Sequence, residues 1–486
     1  MNTFNKKSLY AAMAGLSALG VTGAANAVSV NGDGLGQALI YPYYTVREMV
    51  AGAPFNSLLS VVNSTASAKG VKVRFLEGKN SREVLDFNLY LSPHDVWTVA
   101  IVPTTLGAGI FTADKSCTTP TVSSNSSSPT PFVNYAYTGS AADGADNSLD
   151  RTREGYVEII EMGNLTGTTA TAVTHVSGVP PCSPLGGASG DTVPGNGGLF
   201  GGISLINVLA GADVTASAVA LDGFSQTSLW AAPGSILPNL QSVNPKSSVV
   251  TSGTTTYVTD FTGGGFFTID PVSAVLMHDN VYNEFVLDTA TASGTDWVLT
   301  MPTKFAYYSG TAVQALFQRD FTKTGACDDV VITQYDREER TIVSQTAFSP
   351  PPPTQTDSIC WEANVITFNG TNVLGSKNVA NIPTAFQNGW VSLNFNGPSI
   401  DTTVFPPVHA LVGGFSITFD TSTSPPTLGS FTRTTFNGLP TIGFAAQRFV
   451  NGTLPNSTGG LTSLIQSNYT GTFVHKFTRS ITGFVP

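Results

Sequence analysis

Apolar and polar residues alternate along four short segments near the start of the chain: residues 57–63, 71–75, 85–91 and 97–101. A period of two is typical of β-strands that turn one face to a core and the other to solvent. Turn-forming sequences at 78–81 and 92–95 separate the later segments. The pattern predicts four strands in an antiparallel meander or in half of an immunoglobulin-like sandwich.

Charged residues are scarce in the whole chain. Asp, Glu, Lys and Arg make up 11% of the 486 residues, against roughly 25% in typical soluble domains. Because surface helices expose Lys and Glu, this shortage favours strands. We expect a mainly β fold of antiparallel β-sandwich domains, immunoglobulin-like or jelly-roll-like, with long disulfide-stapled loops and few short helices. The best helix candidate is 270–287, where Asp270 precedes Pro271.

The first 27 residues have the features of a secretory signal peptide. Lys6 and Lys7 give a positive start, an apolar stretch covers 9–21, and small residues end the segment at Ala27. Cleavage is expected between Ala27 and Val28. The apolar stretch is too short for a membrane-spanning helix, and no apolar run of 18 residues follows it.

Four cysteines follow this segment: Cys117, Cys182, Cys327 and Cys360. An even number in an exported chain predicts two disulfides, with three possible connectivities. Pairing Cys117 with Cys182 and Cys327 with Cys360 is favoured because each bridge then stays within one half of the chain. No C-x-x-C motif indicates a metal site.

A cluster of turn residues that includes Pro233 and Gly234 suggests a domain boundary. We expect a signal peptide at 1–27, an N-terminal β domain at 28–235 and a C-terminal β domain at 236–486. Within the first domain, the extended segment 28–46 is a candidate for pairing with the sheet edge of a neighbouring molecule.

The sequence contains no motif that assigns catalytic, cofactor-binding or metal-binding residues. Calcium is the one cofactor considered, at Asp143, Asp146 and Asp150 or at Asp328 and Asp329, although solvated loops explain these residues better. Two charge-dense runs, 150–154 and 336–340, are interpreted as solvated turns, with an intersubunit or intersheet contact as the alternative. The five tryptophans are expected mostly in the core, although an exposed one would favour binding of sugar or protein.

Three segments, 34–46, 73–78 and 295–304, resemble an uncharacterised group of exported cell-surface proteins of Gram-negative bacteria. The resemblance implies a compartment and no catalytic residues. We therefore expect an exported, surface-associated, non-enzymatic protein with a structural, assembly or adhesive role. A secreted polysaccharide hydrolase and an outer-membrane β-barrel are the alternatives.

We expect the protein beyond the inner membrane, at the cell surface or outside the cell, with the periplasm as an alternative. Self-assembly or contact with other surface components is the expected partnership, with no transmembrane helix in the mature chain. The net charge of −10 argues against nucleic acid, because nucleic-acid binding needs basic surface.

Overall fold

The computed structural model describes residues 27–183, 185, 189–307, 316–317, 320–343, 358–396, 409–423, 425–456 and 463–484. The fold is mostly β with many antiparallel sheets, as the sequence predicted. The predicted signal peptide lies outside the described residues except for Ala27, so its cleavage site stays a prediction. Val28 is buried, and its backbone N–H donates to the Ser247 carbonyl at 3.0 Å.

Sixteen strands lie in the first half of the described chain. They are β1 Ser29–Val30, β2 Ala38–Thr45, β3 Glu48–Val50, β4 Ala53–Pro54, β5 Asn56–Asn63, β6 Lys69–Glu77, β7 Glu83–Leu91, β8 Val96–Pro103, β9 Ala108–Phe111, β10 Cys117–Thr119, β11 Thr130–Pro131, β12 Glu154–Leu165, β13 Thr192–Val193, β14 Leu199–Asn207, β15 Ala212–Ser217 and β16 Val219–Asp222.

The second half contributes a further twenty-one described strands. They are β17 Ser247–Ser252, β18 Thr255–Asp260, β19 Met277–His278, β20 Asn280–Val286, β21 Gly294–Thr300, β22 Asp328–Asp329, β23 Val331–Asp336, β24 Thr341–Val343, β25 Ser358–Ile359, β26 Ala363–Phe368, β27 Val379–Ile382, β28 Asn388–Asn394, β29 Ala410–Gly413, β30 Ser416–Asp420, β31 Thr427–Phe431, β32 Arg433–Asn437, β33 Leu439–Pro440, β34 Ile442–Asn456, β35 Ser463–Val474, β36 Lys476–Thr478 and β37 Ser480–Phe484.

The described α-helices are short: α1 Gly167–Val173 and α2 Asp270–Leu276. The helix predicted over 270–287 is therefore wrong in its second half, where β19 and β20 follow. Alternating inward residues such as Val281 and Phe285 explain why that part is a strand. Within the described residues, no helix has the length and apolar character needed to cross a membrane.

Two sheets pack together in the first half. The central sheet has the order β1-β16-β2-β12-β6-β7-β10, with β13 also paired to β12, and the outer sheet has the order β11-β9-β8-β5-β14-β15. The four strands predicted over 57–102 exist, but the meander is wrong. β6 and β7 pair in the central sheet, whereas β5 and β8 pair in the outer sheet, so the chain crosses between layers twice.

Strand β2 lies in the interior of the central sheet, between β12 and β16, and all eight of its residues are buried. Residues 38–40 are therefore paired on both sides within this chain, whereas the rest of β2 pairs with β12 alone of these two strands. Residues 38–40 thus offer no open edge, and the expected pairing of 28–46 with a neighbouring molecule stays a prediction.

The second half contributes two five-stranded sheets, β24-β23-β28-β20-β36 and β27-β26-β21-β34-β35, with smaller sheets such as β17-β18-β30-β31 and β29-β32-β37. Two apolar clusters each draw residues from both halves: Ile40 and Tyr156 share one with Trp297, while Tyr43 shares the other with Val298. The central sheet is thus covered on both faces. The domain boundary near residue 235 stays a prediction.

The face of the central sheet that the alternation assigned to solvent is buried instead. Lys72 and Arg74 alternate with Val71 and Val73 on β6, yet they are 0% and 7% exposed. The Lys72 ammonium contacts Asp86 at 2.8 Å and donates to the Ser235 carbonyl at 2.9 Å. Burial of charge requires such partners, because a desolvated unpaired ion is costly.

Arg74 extends this row of buried ions. Its guanidinium contacts Glu83 at 2.7 Å and Glu158 at 2.5 Å. Burial raises the pKa of Glu158, although Arg74 opposes that shift. Glu158 and Arg74 are also directly opposite each other in the β6–β12 register, so the sheet itself brings the pair together.

The charge-dense run 150–154 forms a second group of buried ions. The Arg151 guanidinium is fully buried, contacts Glu77 at 2.7 Å and Asp143 at 2.6 Å, and lies over the Tyr137 ring. Glu154 accepts hydrogen bonds from Tyr43 and Ser376. The solvated-turn interpretation is wrong for this run, whereas in the run 336–340 Arg337 and Arg340 are about 70% exposed.

The four cysteines pair as Cys117–Cys182 and Cys327–Cys360, the connectivity favoured from the sequence. Such bonds persist in oxidising compartments, so they indicate a non-cytoplasmic environment. Among the acidic residues considered for calcium, Asp143 contacts Arg151, Asp150 contacts Arg47, and Asp328 contacts Lys304. The described residues contain no group of three or more His, Cys, Asp or Glu placed to hold a metal ion.

Replacing Arg151 with Ala should lower the free energy of unfolding by about 3–5 kcal/mol, because Glu77 and Asp143 would lose their buried cation. Urea denaturation followed by tryptophan fluorescence measures the change. The control is Arg337→Ala, which removes a largely exposed guanidinium and should change stability little. Equal effects of the two substitutions would contradict a structural role for the buried ions.

Asp296 on β21 should make stability depend on pH. Burial raises its pKa to about 7, although the Leu374 and Val373 amides donate to it and oppose the rise. Between about pH 4 and 7 the folded state binds a proton here that the unfolded state does not, so this group lowers stability as pH rises.

Asp296→Asn should therefore flatten the loss of stability with rising pH, by up to about 1.4 kcal/mol per pH unit in that window. Denaturation at a series of pH values measures the slope. Asp213→Asn, at an exposed position, serves as the control and should leave the slope unchanged. An unchanged slope in Asp296→Asn would refute the assignment.

Candidate binding site

The outward face of the β24-β23-β28-β20-β36 sheet presents an aromatic platform, which we define as Trp390, Tyr335 and Tyr282. Trp390 is 38% exposed, and its ring stacks on Tyr335 with centroids 4.1 Å apart and planes 10° apart. Tyr282 lies 6.3 Å from Trp390 at an angle of 50°. The platform combines flat apolar rings with polar tips, a combination suited to recognition surfaces.

Strand register explains how these rings meet. Trp390 lies directly opposite Tyr335 of β23 on one side and Glu284 of β20 on the other. On β28, Val391 and Leu393 point to the core, so Trp390 and Ser392 point outward. The same alternation places Tyr282 and Glu284 on the outer face of β20.

Polar side chains border the platform. The next row of the sheet aligns Tyr282, Ser392 and Thr333, and the row after it aligns Asn280 with Asn394. Lys476 of β36 is opposite Tyr282 and is exposed. Hydroxyl, amide, carboxylate and ammonium groups thus surround the rings, and these groups can bond to a polyhydroxylated ligand.

The platform rests on a packed interior. The Trp297 indole N–H donates to the Glu284 carbonyl at 3.1 Å, directly beneath the row that holds Trp390. Phe285 stacks on Phe368 with centroids 4.9 Å apart. These contacts fix the backbone of β20, so the exposed rings sit on a rigid support, as a preorganised site requires.

Gly389 lets β28 approach β23 closely enough for the two rings to stack. A Cβ atom at this position would lie 1.9 Å from the Tyr335 carbonyl oxygen. No side chain fits in that distance. The glycine beside Trp390 is therefore part of the platform's construction.

A depression of about 620 Å³ adjoins the platform. Its lining includes three acids, Glu284, Asp288 and Asp336. Two of them have structural partners: Asp288 accepts from the Ala290 amide at 2.8 Å, and Asp336 accepts from the Arg340 amide at 2.8 Å and pairs with its guanidinium.

A larger groove, of about 930 Å³, lies on the outer sheet next to β35. Its lining includes small residues such as Ser60, Ala100 and Gly202, and also Val474. The described residues that line it carry no charge, and its polar side chains are hydroxyls of serine and threonine.

The five tryptophans differ in how far their side chains are buried. Trp97 and Trp297 are fully buried, Trp230 and Trp361 are half-buried, and Trp390 is the most exposed of the five. Sequence analysis did not distinguish Trp390. The available signal was its place in 388–394, where Val391 and Leu393 share one face and Trp390 the other.

Ser92, Asp95 and His175 form a small polar group beside strand β7. The Asp95 carboxylate lies 3.7 Å from His175 Nδ1, and the same nitrogen is 2.6 Å from the Ser92 hydroxyl. Because Ser92 and Asp95 approach one nitrogen of the ring, the three residues lack the geometry in which a base and its orienting acid use opposite nitrogens.

No protein-family model, curated protein or solved structure matches this chain.

Gly389→Ala should disrupt the β23–β28 pairing and lower the free energy of unfolding by about 1–3 kcal/mol, because the added methyl group meets the Tyr335 carbonyl. Near-UV circular dichroism should also lose the signal of the stacked rings. Gly264→Ala is the control, since a Cβ there meets no atom within 4 Å. Equal stability and identical spectra for the two variants would refute the close approach.

Proposed function

We propose that this protein is an exported, surface-associated, non-enzymatic protein with an adhesive role, and that the aromatic platform binds neutral polysaccharide. The observation that carries the proposal is the exposed Trp390 ring, stacked on Tyr335 and bordered by Ser, Thr, Asn and Glu side chains. Flat sugar faces pack on such rings while their hydroxyls bond to the polar border.

A neutral ligand is favoured by charge. The chain carries a net charge of −10, and Glu284 lies beside Trp390. Both features disfavour an anionic polymer, and the exposed Lys476 at the border of the platform offsets only part of this negative charge. The disulfides and the resemblance to exported cell-surface proteins support a place outside the cytoplasm, where such polymers occur.

Trp390→Ala should weaken retention on insoluble polysaccharide by more than about tenfold, because a central aromatic contact typically contributes 2 kcal/mol or more to binding. Purified full-length protein is incubated with cellulose, chitin and mannan, and the bound fraction is measured against protein concentration. The matched control is Tyr135→Ala, which removes another strongly exposed aromatic side chain far along the chain from the platform.

Retention of wild type and Tyr135→Ala on at least one polymer, with loss in Trp390→Ala, supports the proposal. Failure of wild type to bind any of the three, or equal binding by all variants, overturns it. Reducing ends released from a bound polymer would instead favour the hydrolase alternative, with Glu284 as the first acid to replace.

A further inference from the structure

A buried lysine in the first half contacts two asparagine side chains and one carboxylate. Lys69 is 0% exposed. Its ammonium nitrogen lies 2.5 Å from Glu161 Oε1, 2.5 Å from Asn196 Oδ1 and 2.9 Å from Asn164 Oδ1. An amine, an amide carbonyl and a carboxyl group thus share one site, and these are the groups that amide transfer requires.

Three chain segments build this site. Lys69 on β6 is directly opposite Asn164 on β12, and a register shift between Glu161 and Gly163 alters the strand there. Asn196 belongs to the loop before β14.

Glu161 holds that loop against the lysine. Its Oε2 accepts a hydrogen bond from the Gly197 backbone N–H at 2.9 Å. A Cβ atom on Gly195 would lie 2.3 Å from the Glu161 carboxyl carbon, so a side chain at position 195 would displace this carboxylate. The loop backbone and the Glu161 carboxylate hold the Asn196 amide next to the Lys69 amine. Because the two groups are already placed together, the entropic barrier to a reaction between them is lower.

Glu161 is suited to carry protons here. Burial raises its pKa, although the Lys69 ammonium and the backbone amides of the loop oppose that shift. A buried carboxyl group with a raised pKa accepts a proton more readily than one in water.

We propose that Lys69 and Asn196 form an intramolecular isopeptide bond, with Glu161 as the proton carrier. Glu161 takes a proton from the Lys69 ammonium, and the freed amine attacks Cγ of Asn196. Glu161 returns that proton to Nδ2 as the Cγ–Nδ2 bond breaks and ammonia leaves. Glu161 then takes a second proton from Nζ, which leaves a neutral amide and a neutral carboxyl group.

The reaction needs no oxidant, reductant or co-reactant, because one C–N bond forms and another breaks. It also removes a buried ammonium and a buried carboxylate, whose desolvation is costly. Asn196 is favoured over Asn164 as the acceptor for two reasons. Asn196 is exposed, which lets ammonia leave, while the Asn164 amide donates to the Pro194 carbonyl. The bond would tie the central sheet to the loop leading into the outer sheet.

Intact mass spectrometry of the denatured, reduced protein tests the proposal. Wild type should be about 17 Da lighter than its sequence from the measured N-terminal residue, since one ammonia is lost. Proteolysis should yield a branched fragment that joins the peptides containing Lys69 and Asn196. This measurement on the wild type does not depend on whether any variant folds.

Variants assign the roles. Lys69→Arg, Glu161→Gln and Asn196→Ala should each have the full sequence mass, whereas Asn164→Ala should keep the loss. A wild type at full mass, or a loss that persists in Asn196→Ala, overturns the proposal. A 17 Da loss without the branched fragment, which marks a cyclic imide at Asn196-Gly197, overturns it as well, as does a gain of about 1 Da there, which marks deamidation.

Discussion

Ion pairs buried inside the protein join strands of the central sheet to one another and to the segments beside it. A chain with few charged residues places six of its described Lys and Arg side chains in the interior: Arg47, Lys69, Lys72, Arg74, Arg151 and Lys304. Each contacts a carboxylate. Because an unpaired buried ion is far more costly than a lost apolar contact, each cation admits few alternative arrangements of the segments around it. The pairs therefore favour one register of strands β6, β7 and β12, which apolar contacts alone would specify less sharply.

The same interior supports the platform on the far sheet. Apolar residues of β20 and β28 pack inward, and Trp297 bonds to the β20 backbone, so Trp390 and Tyr335 are presented without rearrangement. A ligand that binds rigid rings loses little free energy to ordering of the protein. Glu284 is held in the same row by strand register. Stability of the core and recognition at the surface thus depend on a common set of strands.

Sequence periodicity predicted individual strands well and their partners poorly. Residues 57–63 and 97–101 form strands as expected, but the sheet that each strand joins depends on contacts distant in sequence. Alternation also misassigned one face: Lys72 and Arg74 have the pattern of a solvated face, and only the covering segments and their carboxylate partners reveal that the face is buried. The helix prediction over 270–287 was limited by the same ambiguity, because Val281 and Phe285 fit both periods. Trp390 was not separated from the buried tryptophans, although the alternation of Val391 and Leu393 already places it on the face of β28 opposite to theirs.

Strand order along the chain has a consequence for how this molecule reaches its native state. β2 is among the first strands to be synthesised, yet its two neighbours, β12 and β16, begin more than a hundred residues later. Apolar residues of β2 then pack against Trp297 and Val298, which come later still. Contacts so distant in sequence close slowly, because the entropy of a long loop is lost before the contact forms. Until the last of these partners has been synthesised, the largely apolar and aromatic residues of β2 are exposed. Protection of this strand from association with other chains is therefore a condition of folding.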